Sequence, residues 1–283
     1  MKILITGGKG QLGSALAKVL INDQVELVDR PQLDLASFYA TGQHFKLYRP
    51  ELVIHCAART NVDYCELHPD GTYRNNVTAT RNVVNICQRT GAALVYISTD
   101  YVFDGQSKFP YREYEHCNPI NIYGMTKYYG EQIVQQHLSR FYIIRTAWLF
   151  GDIGVNFVKT MLQKIPLQKT VAVVDDQIGS PTYATDLAQA INRLIRTEAY
   201  GIYHITNSGC CSWYQFARLI AERLGEHEGK IKAINSTQLN RPAPRPQYSV
   251  LKDSFLKQFD IIMPTYQDAL DRYLKPYSSL NYS

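Results

Sequence analysis

The sequence lacks the marks of secreted, zinc-binding and membrane-spanning proteins. Its six cysteines show no C-x-x-C spacing and its seven histidines no H-x-x-x-H spacing, which argues against a zinc site. No apolar run approaches the roughly 20 residues that a membrane helix needs. The first predicted strand begins almost at residue 1, so no signal peptide is expected. We therefore expect free thiols, no metal, no membrane association and a cytoplasmic location.

Charge of one sign is not concentrated anywhere in the chain. Charged residues make up 19% of the 283 residues and the net charge is +5. The basic residues are scattered, so no nucleic-acid surface is expected, although the mild excess favours an anionic ligand. Hydrophobic residues make up 45%, which is an ordinary balance for one large or two modest domains.

The amino-terminal segment has the order strand, glycine turn, helix. An apolar run at 2–6 is followed directly by the turn, and a helix is predicted over 14–21. Glycine lets the backbone approach a pyrophosphate, and the helix start presents free N–H groups. The spacing is G-x-x-G-x-x-G, a looser form of the usual dinucleotide motif. The predicted cofactor-binding residues in this turn are Gly7, Gly10, Gln11, Leu12 and Gly13.

The first half of the chain alternates short apolar strands with helices. Strands are predicted at 25–28, 52–56, 94–98 and 141–146, with helices between them at 76–87 and 123–137. This order predicts an α/β fold of the Rossmann type: a doubly wound parallel sheet that binds ligands at the carboxyl ends of its strands. Further cofactor-binding candidates near these ends are Asp29, Arg30, Asp34, Leu35, Ala57, Ala58 and Thr60.

The second half is less regular. Ser212 and Gln215 have the capping-box spacing, which predicts a helix that ends at Gly225. The proline-rich stretch 241–246 is expected to be extended. We predict a dinucleotide-binding domain over 1–151 and a smaller carboxyl-terminal substrate-binding domain over 152–283 that closes over the ligand edge.

Tyr123 and Lys127 are four residues apart and share one face of the predicted helix. A neighbouring ammonium favours the phenolate and is expected to lower the pKa of the phenol. Such a pair can protonate a carbonyl oxygen as hydride reaches its carbon. Y-x-x-x-K is common by chance, so an ordinary surface pair is the alternative.

Three motifs make the chain resemble the dTDP-4-dehydrorhamnose reductase family, within the extended short-chain dehydrogenase/reductase superfamily. They are S-T-D-Y-V-F-D-G at 98–105, R-T-x-W at 145–148 and D-Q-x-G-x-P-T at 176–182. The resemblance runs through nearly the whole chain. It implies reduction of the 4-keto group of dTDP-4-dehydro-β-L-rhamnose to dTDP-L-rhamnose, for polysaccharide synthesis. NADPH is the implied cofactor, and we expect NADH to be accepted as well.

The resemblance also implies residue roles. Tyr123 would be the general acid, Lys127 would hold the nicotinamide ribose, and Thr99 would hydrogen-bond the substrate oxygen. Residues that match substrate-binding positions are Thr60, Val62, Asp100, Tyr101 and Trp148, with Asn156 and Arg245 assigned to the nucleotide and pyrophosphate end.

Each of three assignments has a structural alternative. Trp148 fits a core residue, Asp100 a turn-former and Arg245 a solvated loop charge. Some family members bind Mg²⁺ near a subunit interface through a glutamate just after D-Q-x-G-x-P-T. Here Thr185 stands at that position, beside Asp186, so Mg²⁺ is not expected. A homodimer is compatible with the sequence, which shows no interface by itself.

Two other functions stay open at this point. One is a nucleotide-sugar epimerase or 4,6-dehydratase; dehydratases commonly carry Asp-Glu after the threonine, whereas here Asp100 is followed by Tyr101. The other is a non-catalytic NADP-binding protein that resembles the regulatory subunit of methionine adenosyltransferase. Intact Thr99, Tyr123 and Lys127 favour an enzyme.

Overall fold

A computed structural model describes residues 1–278, and a parallel sheet of six strands lies at its centre. The strands are β1 Lys2–Thr6, β2 Gln24–Val28, β3 Leu52–His55, β4 Ala93–Thr99, β5 Phe141–Thr146 and β10 Gly201–His204. Their order is β10-β5-β4-β3-β1-β2, and every neighbouring pair is parallel. The predicted Rossmann-type sheet is confirmed.

Helices cover both faces of this sheet. They are α1 Gln11–Val19, α2 Phe38–Tyr48, α3 Val62–Leu67, α4 Pro69–Tyr73, α5 Ala79–Thr90, α6 Ile122–His137 and α8 Ala184–Leu194. On one face α1 and α8 bury Leu16 and Ile191 against the strands. On the other face α2, α5 and α6 bury Phe45, Val83 and Val134. Burial on both faces explains why the strands read as continuous apolar runs.

Two predicted helix boundaries differ from the observed ones. The helix predicted over 14–21 begins at Gln11 instead, because Gly10 is extended and acts as its N-cap. The helix predicted over 76–87 begins inside a π-helical turn at Arg74–Thr78 and continues as α5 to Thr90.

A second cluster of elements is built from the carboxyl-terminal half. Its elements are β6 Leu149–Phe150, α7 Phe157–Leu167, β7 Val171–Val174, β8 Ile178–Gly179, β9 Thr182–Tyr183, β11 Cys211–Ser212, α9 Trp213–Arg223, β12 Ile231–Ile234 and α10 Tyr266–Ser278. Their shared core includes Phe150, Met161 and Phe216. The predicted capping box of α9 is confirmed, with both of its hydrogen bonds formed. Because α8 and β10 return to the large sheet, the division at residue 151 stays a prediction.

Residues 241–251 form a strap over the carboxyl end of β4, beginning with the proline-rich stretch, which is non-helical as predicted. Asn121 donates to the Pro244 carbonyl at 2.9 Å, and the Tyr248 N–H donates to the Gly105 carbonyl at 3.2 Å. Gly105 has φ +79°, and a Cβ there would lie 2.5 Å from Pro246. Glycine is therefore required where the strap crosses the S-T-D-Y-V-F-D-G loop. None of the helices within residues 1–278 is long and apolar enough to cross a bilayer.

Candidate active site

One cavity of about 700 Å³ runs along the carboxyl ends of the central strands. The predicted residues that line it are Gly7, Gly10, Gln11, Leu12, Gly13, Asp29, Arg30, Leu35, Ala57, Ala58, Thr60, Val62, Thr99, Asp100, Tyr101, Tyr123, Lys127 and Trp148. Asp34, Asn156 and Arg245 lie outside this lining. The fold therefore brings the glycine turn, the Tyr/Lys pair and the S-T-D segment to one surface.

The glycine turn packs so closely on the protein's own backbone that it has no room for side chains. Gly7 has φ +71°, and a Cβ there would lie 2.8 Å from the backbone nitrogen of Ala57. A Cβ on Gly13 would lie 2.3 Å from the Gly7 carbonyl oxygen. The first N–H groups of α1 follow directly, and a helix start has no internal partners for them. Close backbone approach beside free N–H groups fits the pyrophosphate of a dinucleotide.

The end of β2 carries charges of both signs at the far end of the cavity. Asp29 accepts the Lys9 backbone N–H at 2.6 Å. Arg30 donates to Asp34 at 2.7 Å, and Arg74 donates to the other oxygen of Asp34 at 2.5 Å. Asp29 and Arg30 both line the cavity, whereas alternation along an extended segment suggests that only one would. The Arg30 guanidinium thus stands where the adenine ribose of a dinucleotide is expected.

Replacing Arg30 by Ala should raise the KM for NADPH several-fold and that for NADH much less. The Arg30 guanidinium donates to Asp34 through one nitrogen and has further N–H groups that can pair with a 2′-phosphate, which NADH lacks, whereas the Asp29 carboxylate favours the 2′-OH. Initial rates with each cofactor give the two KM values in the wild type and in the variant. Equal effects on both cofactors would show that Arg30 serves only the ion pair with Asp34.

Thr99, Tyr123 and Lys127 come from two adjacent elements. Thr99 ends β4, while Tyr123 lies in the first turn of α6, whose N-cap Asn121 accepts the Gly124 N–H at 2.8 Å. Lys127 follows one turn later, is 3% exposed, and places its Nζ 4.0 Å from the centre of the Tyr96 ring. Gly124 and Gly130 let α6 lie close to Tyr101 and Tyr96. A Cβ on Gly124 would lie 2.1 Å from the Tyr101 carbonyl oxygen, and a Cβ on Gly130 would lie 2.0 Å from the Tyr96 hydroxyl.

The predicted pKa shift of Tyr123 has the wrong sign. Burial raises the pKa of Tyr123 above its ordinary value, and hydrogen bonding to Thr99 opposes that rise. Burial also lowers the pKa of Lys127 to about 7, with Glu131 and Cys56 acting in the other direction. Desolvation disfavours the charged forms of both groups, and it is the largest cause of both shifts. Tyr123 is consequently a protonated phenol at neutral pH.

A buried ion pair supports this helix from behind. Arg145 on β5 donates to both oxygens of Glu131 on α6, at 2.9 and 2.7 Å, and both side chains are at most 3% exposed. Ser98 donates to Glu131 at 2.5 Å. The R-T-x-W arginine therefore locks α6 to β4 and β5, one turn beyond Lys127. A fixed helix holds the Tyr/Lys pair in register with Thr99.

Comparison with known proteins identifies the family. A family model described as RmlD substrate binding domain matches residues 1–279. This chain belongs to that family. Spore coat polysaccharide biosynthesis protein SpsK of Bacillus subtilis is 39% identical and covers 98% of both chains. The dTDP-4-dehydrorhamnose reductase of Aggregatibacter actinomycetemcomitans is 35% identical over 93% of this chain and 95% of that protein.

A solved structure extends the comparison. The crystal structure of dTDP-4-dehydrorhamnose reductase from Bacillus anthracis, in complex with NADP, is 40% identical with a TM-score of 0.93. It covers 98% of this chain and 100% of that one. The resemblance that the three motifs predicted is confirmed for nearly the whole length of this RmlD-family chain.

Two tryptophans form one wall of the cavity in this RmlD-family chain. Trp148 and Trp213 stack with ring centroids 3.4 Å apart and an interplanar angle of 4°. A Cβ on Gly179 would lie 2.4 Å from the Trp148 ring, so the glycine of D-Q-x-G-x-P-T makes room for it. Trp148 thus packs on its neighbours and also lines the cavity. Sequence reasoning gave Trp213 no site role, although the capping box places it at the start of α9.

Replacing Trp148 by Ala should weaken sugar-nucleotide binding more than NADPH binding. The cavity loses part of one wall, while the glycine turn is untouched. The stacked position also predicts a loss of about 3 kcal/mol in unfolding free energy. Melting temperature measured beside both KM values separates the effects. A stability loss with normal KM for the sugar nucleotide would make Trp148 a core residue only.

The three predicted residues outside the lining have other partners in this RmlD-family chain. Asn156 caps α7 and donates to Gln11 at 3.0 Å and to the Gly151 carbonyl at 2.9 Å. Arg245 donates to Asp63 at 2.5 Å with its side chain 8% exposed, so a solvated loop charge does not describe it. Asp34 holds Arg30 and Arg74. Their ligand-binding roles stay predictions.

Asp186, which follows Thr185, has hydrogen-bond donors on both oxygens of its carboxylate. Asp186 accepts both terminal nitrogens of Arg272 at 2.7 Å and the Asn207 amide at 2.7 Å. Within residues 1–278, no three His, Cys, Asp or Glu side chains cluster as a metal site requires.

Proposed function

We propose that this protein reduces the 4-keto group of dTDP-4-dehydro-β-L-rhamnose with NADPH to give dTDP-L-rhamnose. The observation that carries this proposal is a single cavity lined both by the glycine turn and by Thr99, Tyr123 and Lys127. Names of the relatives support the same substrate, and one relative's structure contains NADP. The product would serve synthesis of a rhamnose-containing polysaccharide, as the name of the spore coat relative suggests.

The residues present fit the cofactor. The glycine turn would hold the pyrophosphate, Asp29 and Arg30 the adenine ribose, and Lys127 the nicotinamide ribose. When bound, NADPH supplies the hydride. NADH is expected to be accepted with a modest disadvantage, because Asp29 suits its free 2′-OH while Arg30 favours the 2′-phosphate.

Tyr123 is suited to the reducing direction. Because burial keeps the phenol protonated, Tyr123 can give its proton to the substrate oxygen as negative charge develops there. Thr99 lies beside it and offers a hydroxyl to the same oxygen. Lys127, with a pKa near 7 in the free protein, supplies a positive charge close to the site when its amine is protonated. Reduction then needs no further acid.

The Asp100–Tyr101 pair bears on the dehydratase alternative. A dehydratase needs an additional acid/base pair, whereas the residue after Asp100 is a phenol whose pKa burial raises above its usual value. Tyr101 packs edge-on against Tyr123, with ring centroids 5.9 Å apart. Tyr101 is therefore suited to lining the cavity beside the substrate. Its phenol does not replace the second carboxyl group of a dehydratase.

The test is to supply dTDP-4-dehydro-β-L-rhamnose with NADPH or NADH, to follow cofactor absorbance and to identify the product by NMR. Stoichiometric cofactor oxidation with formation of dTDP-L-rhamnose is expected. A changed sugar with no net cofactor oxidation would indicate an epimerase or dehydratase. Cofactor binding without turnover would favour a non-catalytic protein. Light scattering on the same protein would show whether it forms a homodimer.

A further inference from the structure

The single proton of the Thr99 hydroxyl has competing acceptors. Thr99 Oγ1 accepts the Tyr101 backbone N–H at 3.2 Å and lies 3.0 Å from Oδ1 of Asp100. A hydroxyl donates once, and an ionised carboxylate can only accept. While Asp100 is ionised, Thr99 therefore donates to Asp100, and its proton does not reach a substrate oxygen.

Asp100 is placed so that it can hold a proton of its own. It is 2% exposed, and its Oδ2 accepts the Ser249 hydroxyl from the strap at 2.5 Å. Burial raises the pKa of Asp100 to about 6, and the hydrogen bonds from Ser249 and Thr99 oppose the rise. Because Ser249 donates to Oδ2, an added proton takes Oδ1, the oxygen that faces Thr99.

The two phenols nearest Asp100 stay protonated near neutral pH, whereas Lys127, which lines the same cavity, has a pKa of about 7. Tyr101 adjoins it in the chain and Tyr123 faces it from α6; burial raises the pKa of both phenols. Arg245, from the strap, lies near Tyr101 and is paired with Asp63. Of the two phenols and Asp100, Asp100 alone changes charge between about pH 5 and 7.

We propose that Asp100 is a positioning residue that acts through Thr99. When Asp100 is protonated, it donates to Thr99 Oγ1, and Thr99 then donates its own proton to the keto oxygen of the substrate. Thr99 accepts twice and donates once in this state, which uses the full capacity of a hydroxyl. Asp100 keeps its proton throughout, and Tyr123 remains the acid. This inference rests on the proposed reductase function and gives Asp100 a role other than sugar contact.

A double-mutant cycle tests the coupling. In Asp100→Asn the amide N–H₂ donates to Thr99 permanently, while its carbonyl accepts from Ser249. We expect the kcat of this variant at saturating cofactor to be independent of pH between about pH 5 and 8, whereas the kcat of the wild type falls about tenfold across that range, which is the value of one hydrogen bond to developing charge. In a Thr99→Val background, Asp100→Asn should change nothing further. Additive losses, or a raised sugar KM with an unchanged pH profile, would show that Asp100 contacts the sugar itself.

A measurement without substrate separates this inference from the proposed function. In free protein with ¹³C-labelled aspartate, the Asp100 carboxyl should titrate near pH 6. Ser249→Ala should move that titration to higher pH, because it removes a donor that stabilises the charged form. Asp104→Asn, in the same loop but bonded to Tyr111 and Asn118, is the matched control and should not move it.

A titration near the ordinary value of about 4, or one that Ser249→Ala leaves in place, would overturn the inference whether or not the sugar is turned over. If the wild type fails to reduce the sugar, the proposed function falls while the titration still decides the role of Asp100.

Discussion

Tyr123→Phe should lower kcat by about 10²- to 10⁴-fold, the usual contribution of a positioned general acid. The phenol lies in the first turn of α6 beside Thr99, and burial keeps it protonated. Loss of its O–H removes the acid that protonates the developing alkoxide and leaves only the Thr99 hydroxyl to donate a hydrogen bond to it. Single-turnover rates at saturating NADPH measure the chemical step directly.

Cofactor-binding measurements on Tyr123→Phe distinguish a slower chemical step from weaker cofactor binding. Cofactor affinity should barely change, because only the phenolic oxygen is lost. Tyr129→Phe is a matched control, since Tyr129 lies on the same helix with 43% of its surface exposed. A Tyr123→Phe variant with near-normal turnover would remove Tyr123 from the acid role, and the resemblance to the reductases would then need another proton donor.

Lys127→Met should damage both the rate and cofactor affinity, raising the dissociation constant for NADPH at least about tenfold and lowering kcat by about 10²-fold. The side chain is buried against the Tyr96 ring and lines the cavity next to Tyr123. Methionine fills similar volume without the charge, so the fold should survive. Lys46→Met, on the exposed side of α2, is the control for loss of a surface lysine.

The dependence of NADPH affinity on pH tests the charge of Lys127. Burial lowers the pKa of Lys127 to about 7, so the free protein loses the ammonium as pH rises through that value. NADPH affinity should therefore weaken above about pH 7 in the wild type, and this slope should be absent in Lys127→Met. A slope that is the same in both proteins would mean that Lys127 does not hold the cofactor.

Local patterns in the sequence predicted most of the central fold. The glycine turn, the alternation of apolar strands with helices and the capping box at Ser212 each depend on residues close together in the chain. The structure contains all three, and the same segments bring Thr99, Tyr123 and Lys127 to one edge of the sheet. Parallel strands place their carboxyl ends together whatever the rest of the chain does.

The sequence alone also determined the family, because three motifs spread from residue 98 to 182 resemble one narrow group. It did not determine the partners of buried polar groups. Glu131 meets Arg145 across two elements, and Ser249 meets Asp100 from 149 residues away. Such pairs depend on how helices and loops pack over the sheet. The spacing of apolar and polar residues along the sequence does not predict them.

The charge states of the site were decided by tertiary structure alone. From spacing, the ammonium of Lys127 was expected to lower the pKa of Tyr123, because the two share a helix face. In the folded protein, burial raises the pKa of Tyr123 and lowers that of Lys127. Sequence specifies which groups are neighbours, whereas the depth at which they are buried sets the desolvation that is the largest cause of both shifts.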